Sequence, residues 1–143
     1  MSLNIEFGCG DTINKGFVGC DVRDFPHVKY VCNAWEIMDH GVESGSVHCI
    51  HSRHFLEHLT FYQANQTLKV WYDILDYGGR LSIVVPDMIF HIKQWLTLDR
   101  KELFNEAGTM SLEEWARLGF WGHQRETEDG AIWDIHKSGY DFE

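Results

Sequence analysis

The sequence predicts an α/β protein built on a mostly parallel sheet. Five short segments rich in Val, Ile, Phe or Cys have the composition of buried parallel strands. Between Thr60 and Leu75 there is neither Pro nor Gly, and Tyr62, Leu68, Trp71 and Leu75 fall near helical spacing. That stretch is therefore expected to be the crossover helix before the fifth strand.

The elements follow one another along the chain with short connections. Gly78-Gly79 should end the crossover helix and begin the fifth strand. Two further helices are expected, and Ser111-Leu112-Glu113-Glu114 gives the second an S-x-x-E capping box. The predicted strands are Leu3–Phe7, Phe17–Asp21, Val28–Cys32, Val47–His51 and Arg80–Val85, with Ala131–Ile135 a further candidate, and the predicted later helices are Met88–Leu98 and Ser111–Leu118.

Composition limits the classes of protein and of partner. At 143 residues and 44% hydrophobic, the chain is expected to form one domain, 1–143, with a real core. Its formal charge of -10 repels phosphate backbones, so nucleic acid is not an expected partner. No segment has the length of a membrane span or the pattern of a signal peptide. The four cysteines lack C-x-x-C spacing, which favours reduced thiols in a cytoplasmic protein.

A glycine turn near the N-terminus suggests a ligand pocket. Gly8-Cys9-Gly10 follows the first strand, and the second strand ends on Asp21. Glycine permits close approach of a ligand to the backbone, and an acid at a strand tip can accept hydrogen bonds from a ribose diol. Residues 11–15 are too short and polar for the helix that holds a pyrophosphate. An adenosine-containing cofactor without phosphate, such as S-adenosylmethionine, fits this pattern.

Four motifs in register strengthen that interpretation. They are N-I-E-F-G-C-G from Asn4, G-F-V-G-C-D from Gly16, F-L-E-H-L from Phe55 and G-G-R-L-S-I-V-V-P-D from Gly78. Residues 3–90 thereby resemble the class I S-adenosylmethionine-dependent methyltransferases, in particular the compact branch that acts on sugars and other small molecules (methyltransferase type 11-like). Residues 96–143 match this family poorly.

The resemblance implies the fold and the activity. The fold would be a Rossmann-like three-layer sandwich with strand order 3-2-1-4-5, truncated at the C-terminus because the usual last strand pair is missing. Residues 1–95 would bind the cofactor, and residues 96–143 would form a lid or cover the sheet. The activity would be methyl transfer from S-adenosylmethionine to a small-molecule acceptor such as a sugar or another metabolite.

The connection between the first two strands is short for this fold. Parallel strands usually need a crossover of a dozen or more residues, and only Gly8 to Gly16 separates the first two strands. Local reasoning alone allows a hairpin. The resemblance favours parallel strands joined by a loop.

The resemblance also assigns residues to roles. Glu6 would hold the methionine ammonium, often through water, and Asn33 stands where the family usually has an acid that reads the adenine. An Asn side chain can accept and donate there, while Trp35 would lie against the adenine or pack in the core. The predicted cofactor residues are Glu6, Gly8, Cys9, Gly10, Asp21, Asn33, Ala34, Trp35, Ser52, Arg53 and His54. If the acceptor needs a base, the candidates are His54, Asp87 and His123.

Two alternatives and one consequence stay open. His54-Phe55-Leu56-Glu57-His58 fits H-x-x-E-H, the motif of an inverted zinc protease, in which two histidines on one helical face bind zinc. The other alternative is a cofactor-binding or inactive scaffold. No metal is expected on balance.

If the usual last strands are missing, the fifth strand becomes an apolar edge of the sheet. The C-terminal segment or a second subunit should cover this edge, and a homodimer is favoured.

Overall fold

The computed structural model describes residues 3–97, 102–105, 108–122 and 135–141. The chain divides into two compact units, Met1–Val85 and Pro86–Glu143. The helix that follows Pro86 packs within the second unit.

The first unit is a five-stranded sheet in which every pairing is parallel. Its order is β3-β2-β1-β4-β5, so the α/β class and the strand order are confirmed. The strands are β1 (Leu3–Phe7), β2 (Val18–Asp21), β3 (Val28–Val31), β4 (Val47–Arg53) and β5 (Leu75–Val84).

The short connection from β1 to β2 is a crossover and not a hairpin. Ile5 lies opposite Val18 and Phe7 opposite Cys20 in parallel register, with residues 8–17 between the strands. A loop thus takes the place that a helix usually holds in a parallel sheet.

Polar side chains of β1 hold this loop. Asn4 and Glu6 alternate with the buried Ile5 and therefore point to the opposite face of the sheet. Asn4 Nδ2 donates to the Gly16 carbonyl at 3.3 Å. Both oxygens of Glu6 accept from Asn14, at 2.8 Å from its backbone N–H and 3.1 Å from its amide.

The opposite face of the sheet carries the apolar core. Helix α1 (Phe61–Ile74) lies there, and its fully buried Trp71 contacts Phe7 with ring centroids 4.9 Å apart. The helix begins at a reciprocal capping box in which Thr60 and Gln63 bond each other's backbone. A 3₁₀ helix, Ala34–His40, packs against α1.

The start of β5 differs from the prediction. Helix α1 ends at Ile74, and Leu75 is already extended and paired with Val47 of β4. Gly78-Gly79 therefore lies inside the strand, at the register shift between Val47 and Cys49, and does not end the helix. Pairing with β4 overrides the local signal that two glycines give.

The second unit combines two helices and a hairpin. Ser111 directly precedes α3, as the capping box predicts, although its side chain lies outside what the structure describes. The hairpin was not predicted, because its strands contain almost no β-branched residues. The elements are α2 (Met88–Thr97), β6 (Glu102–Asn105), β7 (Gly108–Ser111) and α3 (Leu112–Trp121), and α2 packs against α3.

The remaining expectations concern the last residues and membrane spans. Of the candidate strand Ala131–Ile135, residues 131–134 lie outside the described part of the chain, and Ile135 forms an isolated bridge with Gly122. None of the described helices has both the length and the apolar character needed to cross a membrane.

We predict that β5 is covered in solution, with a second copy of the chain favoured. Among the described residues β5 pairs with β4 alone, and its Val84 is 41% exposed, which makes this edge a template for further pairing. Analytical ultracentrifugation at micromolar concentration should find a dimer. Val84→Lys should dissociate it, whereas Tyr72→Lys on the exposed side of α1 should not. A wild-type monomer would contradict the prediction.

Candidate functional site

The carboxyl ends of the strands bring most of the predicted residues to one edge of the sheet. Phe7 lies between Cys20 of β2 and Ser52 of β4. The segments that follow β1, β2 and β4 therefore leave the sheet side by side. The order of the strands reverses between β1 and β4, and open α/β sheets bind ligands at such a switch point. Gly8 to Gly10, Asp21 and Ser52 to His54 all fall there.

The glycine turn needs both of its glycines in the left-handed region. Gly8 has φ +64° and Gly10 has φ +61°, a conformation that L residues rarely adopt. A Cβ on Gly8 would lie 2.7 Å from Cγ of Phe55 and closer still to Cδ2. Beside Gly10 the nearest atom to an added Cβ is Nη2 of Arg23, at 3.4 Å. The turn is thus packed against Phe55 at its start and lies beside the Arg23 guanidinium at Gly10.

Asp21 is tied to this turn through both of its oxygens. Oδ2 accepts from the Gly10 N–H at 2.9 Å, and Oδ1 accepts from the backbone N–H of Arg23 at 2.9 Å and from its Nε at 3.2 Å. The sequence predicted a carboxylate free to bind a diol. Each carboxylate oxygen has about two acceptor sites, so a ligand could share Oδ2, but at Oδ1 it would have to displace Arg23.

The residues after β3 adopt the geometry of a helix start. Asn33 is extended, with ψ 143°, and precedes the 3₁₀ helix that begins at Ala34. Its Nδ2 donates to Glu36 at 3.0 Å. Ala34 is buried and Trp35 is half-buried. Asn33 thus lies at the carboxyl edge of the sheet, one strand beyond Asp21.

The residues at the end of β4 differ sharply in exposure. Ser52 is fully buried, whereas Arg53 and His54 are exposed. His54 is in the left-handed region, with φ +51°. Its Nδ1 lies 3.3 Å from Oε1 of the buried Glu57.

The zinc-protease arrangement does not form. Leu56–His58 is a single 3₁₀ turn, and His54 stands ahead of it in a left-handed conformation. The two histidines therefore do not share a helical face as the H-x-x-E-H motif requires. Glu57 instead contacts His54 through Oε1.

Two of the three predicted catalytic residues do not belong to the described part of the first unit. Asp87 belongs to the second unit, where its Oδ1 accepts from the Phe90 N–H at 3.2 Å and so caps the start of α2. His123 lies outside the described residues. Only His54 is on the first unit with the glycine turn and Asp21.

The thiols of Cys9, Cys20 and Cys32 are buried. Burial, followed by the charges of Asp21 and Glu6, raises the pKa of the Cys9 thiol to about 11. The Cys20 and Cys32 thiols share a hydrogen bond, with their Sγ atoms 3.9 Å apart. This hydrogen bond lowers the pKa of Cys32 and raises that of Cys20.

We expect Cys32 to react with iodoacetamide at pH 8 faster than Cys9. Their exposures are nearly equal, at 9% and 8%, so the difference reports the thiolate population. With a pKa near 11, only about one Cys9 in a thousand is a thiolate at pH 8. Peptide mass spectrometry over time measures both rates. Faster labelling of Cys9 would contradict this assignment.

Sequence reasoning did not assign Arg23 or Phe55 to this site and left the role of Glu57 open. The spacing Asp21-x-Arg23 is a local signal for the first, since an Asp side chain often accepts from the N–H two residues later. No local signal exists for Phe55, which meets Gly8 only through the fold.

A comparison of the chain with protein-family models, curated proteins and solved structures found no match. The four motifs and the geometry of the carboxyl edge are therefore what bears on function.

Proposed function

We propose that this chain is a Rossmann-like methyltransferase that transfers a methyl group from S-adenosylmethionine to a small-molecule acceptor, such as a sugar or another metabolite. The observation that carries the proposal is the left-handed glycine turn, whose Gly10 N–H bonds Asp21 at the carboxyl edge of a 3-2-1-4-5 sheet.

The charged and polar groups at this edge suit a cationic, phosphate-free cofactor. In phosphate-binding turns the backbone N–H groups point at the ligand, but here the Gly10 N–H is taken by a carboxylate. Asp21 and Glu6 are both buried close to the turn, and both contribute to the electrostatics of Cys9. Two carboxylates repel a phosphate and attract an ammonium or a sulfonium.

The chain's residues divide among the parts of such a ligand. Gly8, Cys9 and Gly10 would border its methionine portion, with Glu6 toward the ammonium. Asp21 would accept from the ribose. The adenine would lie beside Asn33, Ala34 and Trp35, while Ser52, Arg53 and His54 would complete the site from β4.

When bound, S-adenosylmethionine supplies an electrophilic methyl group, and catalysis then consists mainly of positioning the acceptor. An acceptor hydroxyl or amine also has to lose a proton. His54 is the base we assign, because its exposed imidazole lies at the same edge as the turn.

Isothermal calorimetry with S-adenosylhomocysteine tests the proposal. We expect a single saturable site, with no binding of NAD under the same conditions because the turn lacks a free phosphate cradle. A screen of sugars, phenols and amines with methyl-labelled S-adenosylmethionine then searches for product. If S-adenosylhomocysteine does not bind, the proposal is wrong.

One observation favours the second candidate, a cofactor-binding scaffold without turnover. Both oxygens of Glu6 and both of Asp21 are already bonded within the chain, as in a site built for stability. Binding of S-adenosylhomocysteine with no product from any acceptor would favour the scaffold. Metal analysis should find no zinc lost specifically on His54→Ala or His58→Ala.

A further inference from the structure

His54 has a backbone conformation that needs an explanation. Among the described residues it alone is a non-glycine residue with positive φ. Its N–H donates to the Val84 carbonyl at 2.9 Å, a bond between the end of β4 and the end of β5. A left-handed residue of this kind persists where the surrounding structure holds it, and such residues cluster at functional sites.

Glu57 also needs an explanation, because it is a buried acid. Its residue exposure is 1%, while the imidazole of His54 is 53% exposed. Oε1 lies 3.3 Å from Nδ1 of His54, and Oε2 accepts no hydrogen bond from any described residue. A carboxylate is costly to bury without partners. A ring nitrogen of His58 lies within 4.8 Å of this carboxylate, but the hydrogen bond that the carboxylate makes is the one with His54.

Apolar residues flank the acid. Glu57 stands between the buried Leu56 and the buried Leu59 of the same turn. The ring of the neighbouring Phe55 packs on Gly8, and its centroid lies 6.2 Å from the ring centroid of Trp71. Interactions with a charge are stronger in such an apolar environment than in water.

A second histidine–carboxylate pair in the same unit provides the contrast. His48 Nδ1 lies 3.1 Å from Oδ2 of Asp76, but both side chains are substantially exposed, at 46% and 34%. Such a pair is weak because water screens it. Of the two pairs, the His54–Glu57 pair joins an exposed imidazole to a buried acid.

We propose that Glu57 is a positioning residue that holds His54 as the base of the methyl transfer, an inference that rests on the proposed function. The Nδ1–H of His54 donates to Glu57 Oε1, which leaves the lone pair of Nε2 directed away from the acid. Nε2 then takes the proton of the acceptor. The acceptor O–H bond breaks, its electron pair stays on oxygen, a new N–H bond forms at Nε2, and the carboxylate stabilises the imidazolium.

The tautomer of His54 tests the geometry without any turnover. In long-range nitrogen–proton NMR spectra of the full chain, the His54 signals are assigned by their loss in His54→Asn, since Asn tolerates the left-handed conformation. We expect the proton on Nδ1 in the wild type and on Nε2 in Glu57→Ala. A wild-type His54 with its proton on Nε2 would overturn the inference.

Kinetics test the role, using the first acceptor that gives product in the screen of sugars, phenols and amines. His54→Asn and Glu57→Gln should each lower kcat by about 10²–10⁴. Glu57→Gln should also leave the affinity for S-adenosylhomocysteine within about twofold. His48→Asn, the control from the exposed pair, should leave kcat unchanged. An unchanged kcat in His54→Asn or in Glu57→Gln overturns the inference.

The two proposals fail separately. If the wild-type protein does not bind S-adenosylhomocysteine, the proposed function is refuted. Intact binding with the Nε2 tautomer refutes only the role of Glu57. If Glu57→Gln does not fold, Glu57→Asp is the second variant: it keeps the charge on a shorter stem, and a kcat equal to that of the wild type would count against positioning.

Discussion

Replacing Gly8 by Ala is expected to destabilise the chain by about 2–5 kcal/mol and to abolish binding of S-adenosylhomocysteine. About 1–2 kcal/mol comes from the left-handed backbone, since φ is +64°. The rest, about 1–3 kcal/mol, comes from overpacking, because the new methyl group would collide with the ring of Phe55. Thermal unfolding and calorimetry measure the two effects.

Gly16 provides the matched control for this variant. It also has a positive φ, of +89°, but nothing lies within 4 Å of an added Cβ. Gly16→Ala should therefore cost only the backbone penalty of about 1–2 kcal/mol and should leave ligand binding largely intact. Equal losses for the two variants would show that the contact with Phe55 is not important.

Replacing Asp21 by Ala is expected to weaken binding of S-adenosylhomocysteine by roughly 1–3 kcal/mol, the size of a hydrogen bond to a charged group. The variant also removes the acceptor for the Gly10 N–H, so the turn loses support together with the ligand contact. Asp24→Ala, on an exposed side chain of the same loop, is the control. Unchanged affinity in Asp21→Ala would remove Asp21 from the site.

Arg23→Ala separates the two roles of Asp21. The variant deletes the guanidinium, whose Nε lies 3.2 Å from Oδ1 of Asp21, while the hydrogen bond from the Gly10 N–H to Oδ2 of Asp21 remains. If a ligand takes the place of Arg23 on the carboxylate, this variant should bind S-adenosylhomocysteine at least as tightly as the wild type. A large loss of affinity would mean that Arg23 itself holds the ligand.

Local patterns were sufficient for the strands and for α1. The first strand is recognisable because Leu3, Ile5 and Phe7 are apolar and Gly8 follows them. Helix α1 carries its start signal in Thr60 and Gln63, two residues of one turn that need no tertiary partner. The parallel pairing of β1 with β2 was not readable in this way, and it was predicted only through the resemblance to a family.

The tertiary structure decided which contacts the polar residues make. By itself, the sequence determined the α/β class, the glycine turn and the acid at the end of β2, because each depends on composition and spacing within a few residues. It did not determine that Arg23 donates to Asp21 or that the Phe55 ring packs against Gly8. It also did not determine that Glu57 is buried in contact with His54. The physical reason is that a carboxylate bonds whichever donors the packed chain brings within about 3 Å, and packing of the sheet and α1 decides which donors those are.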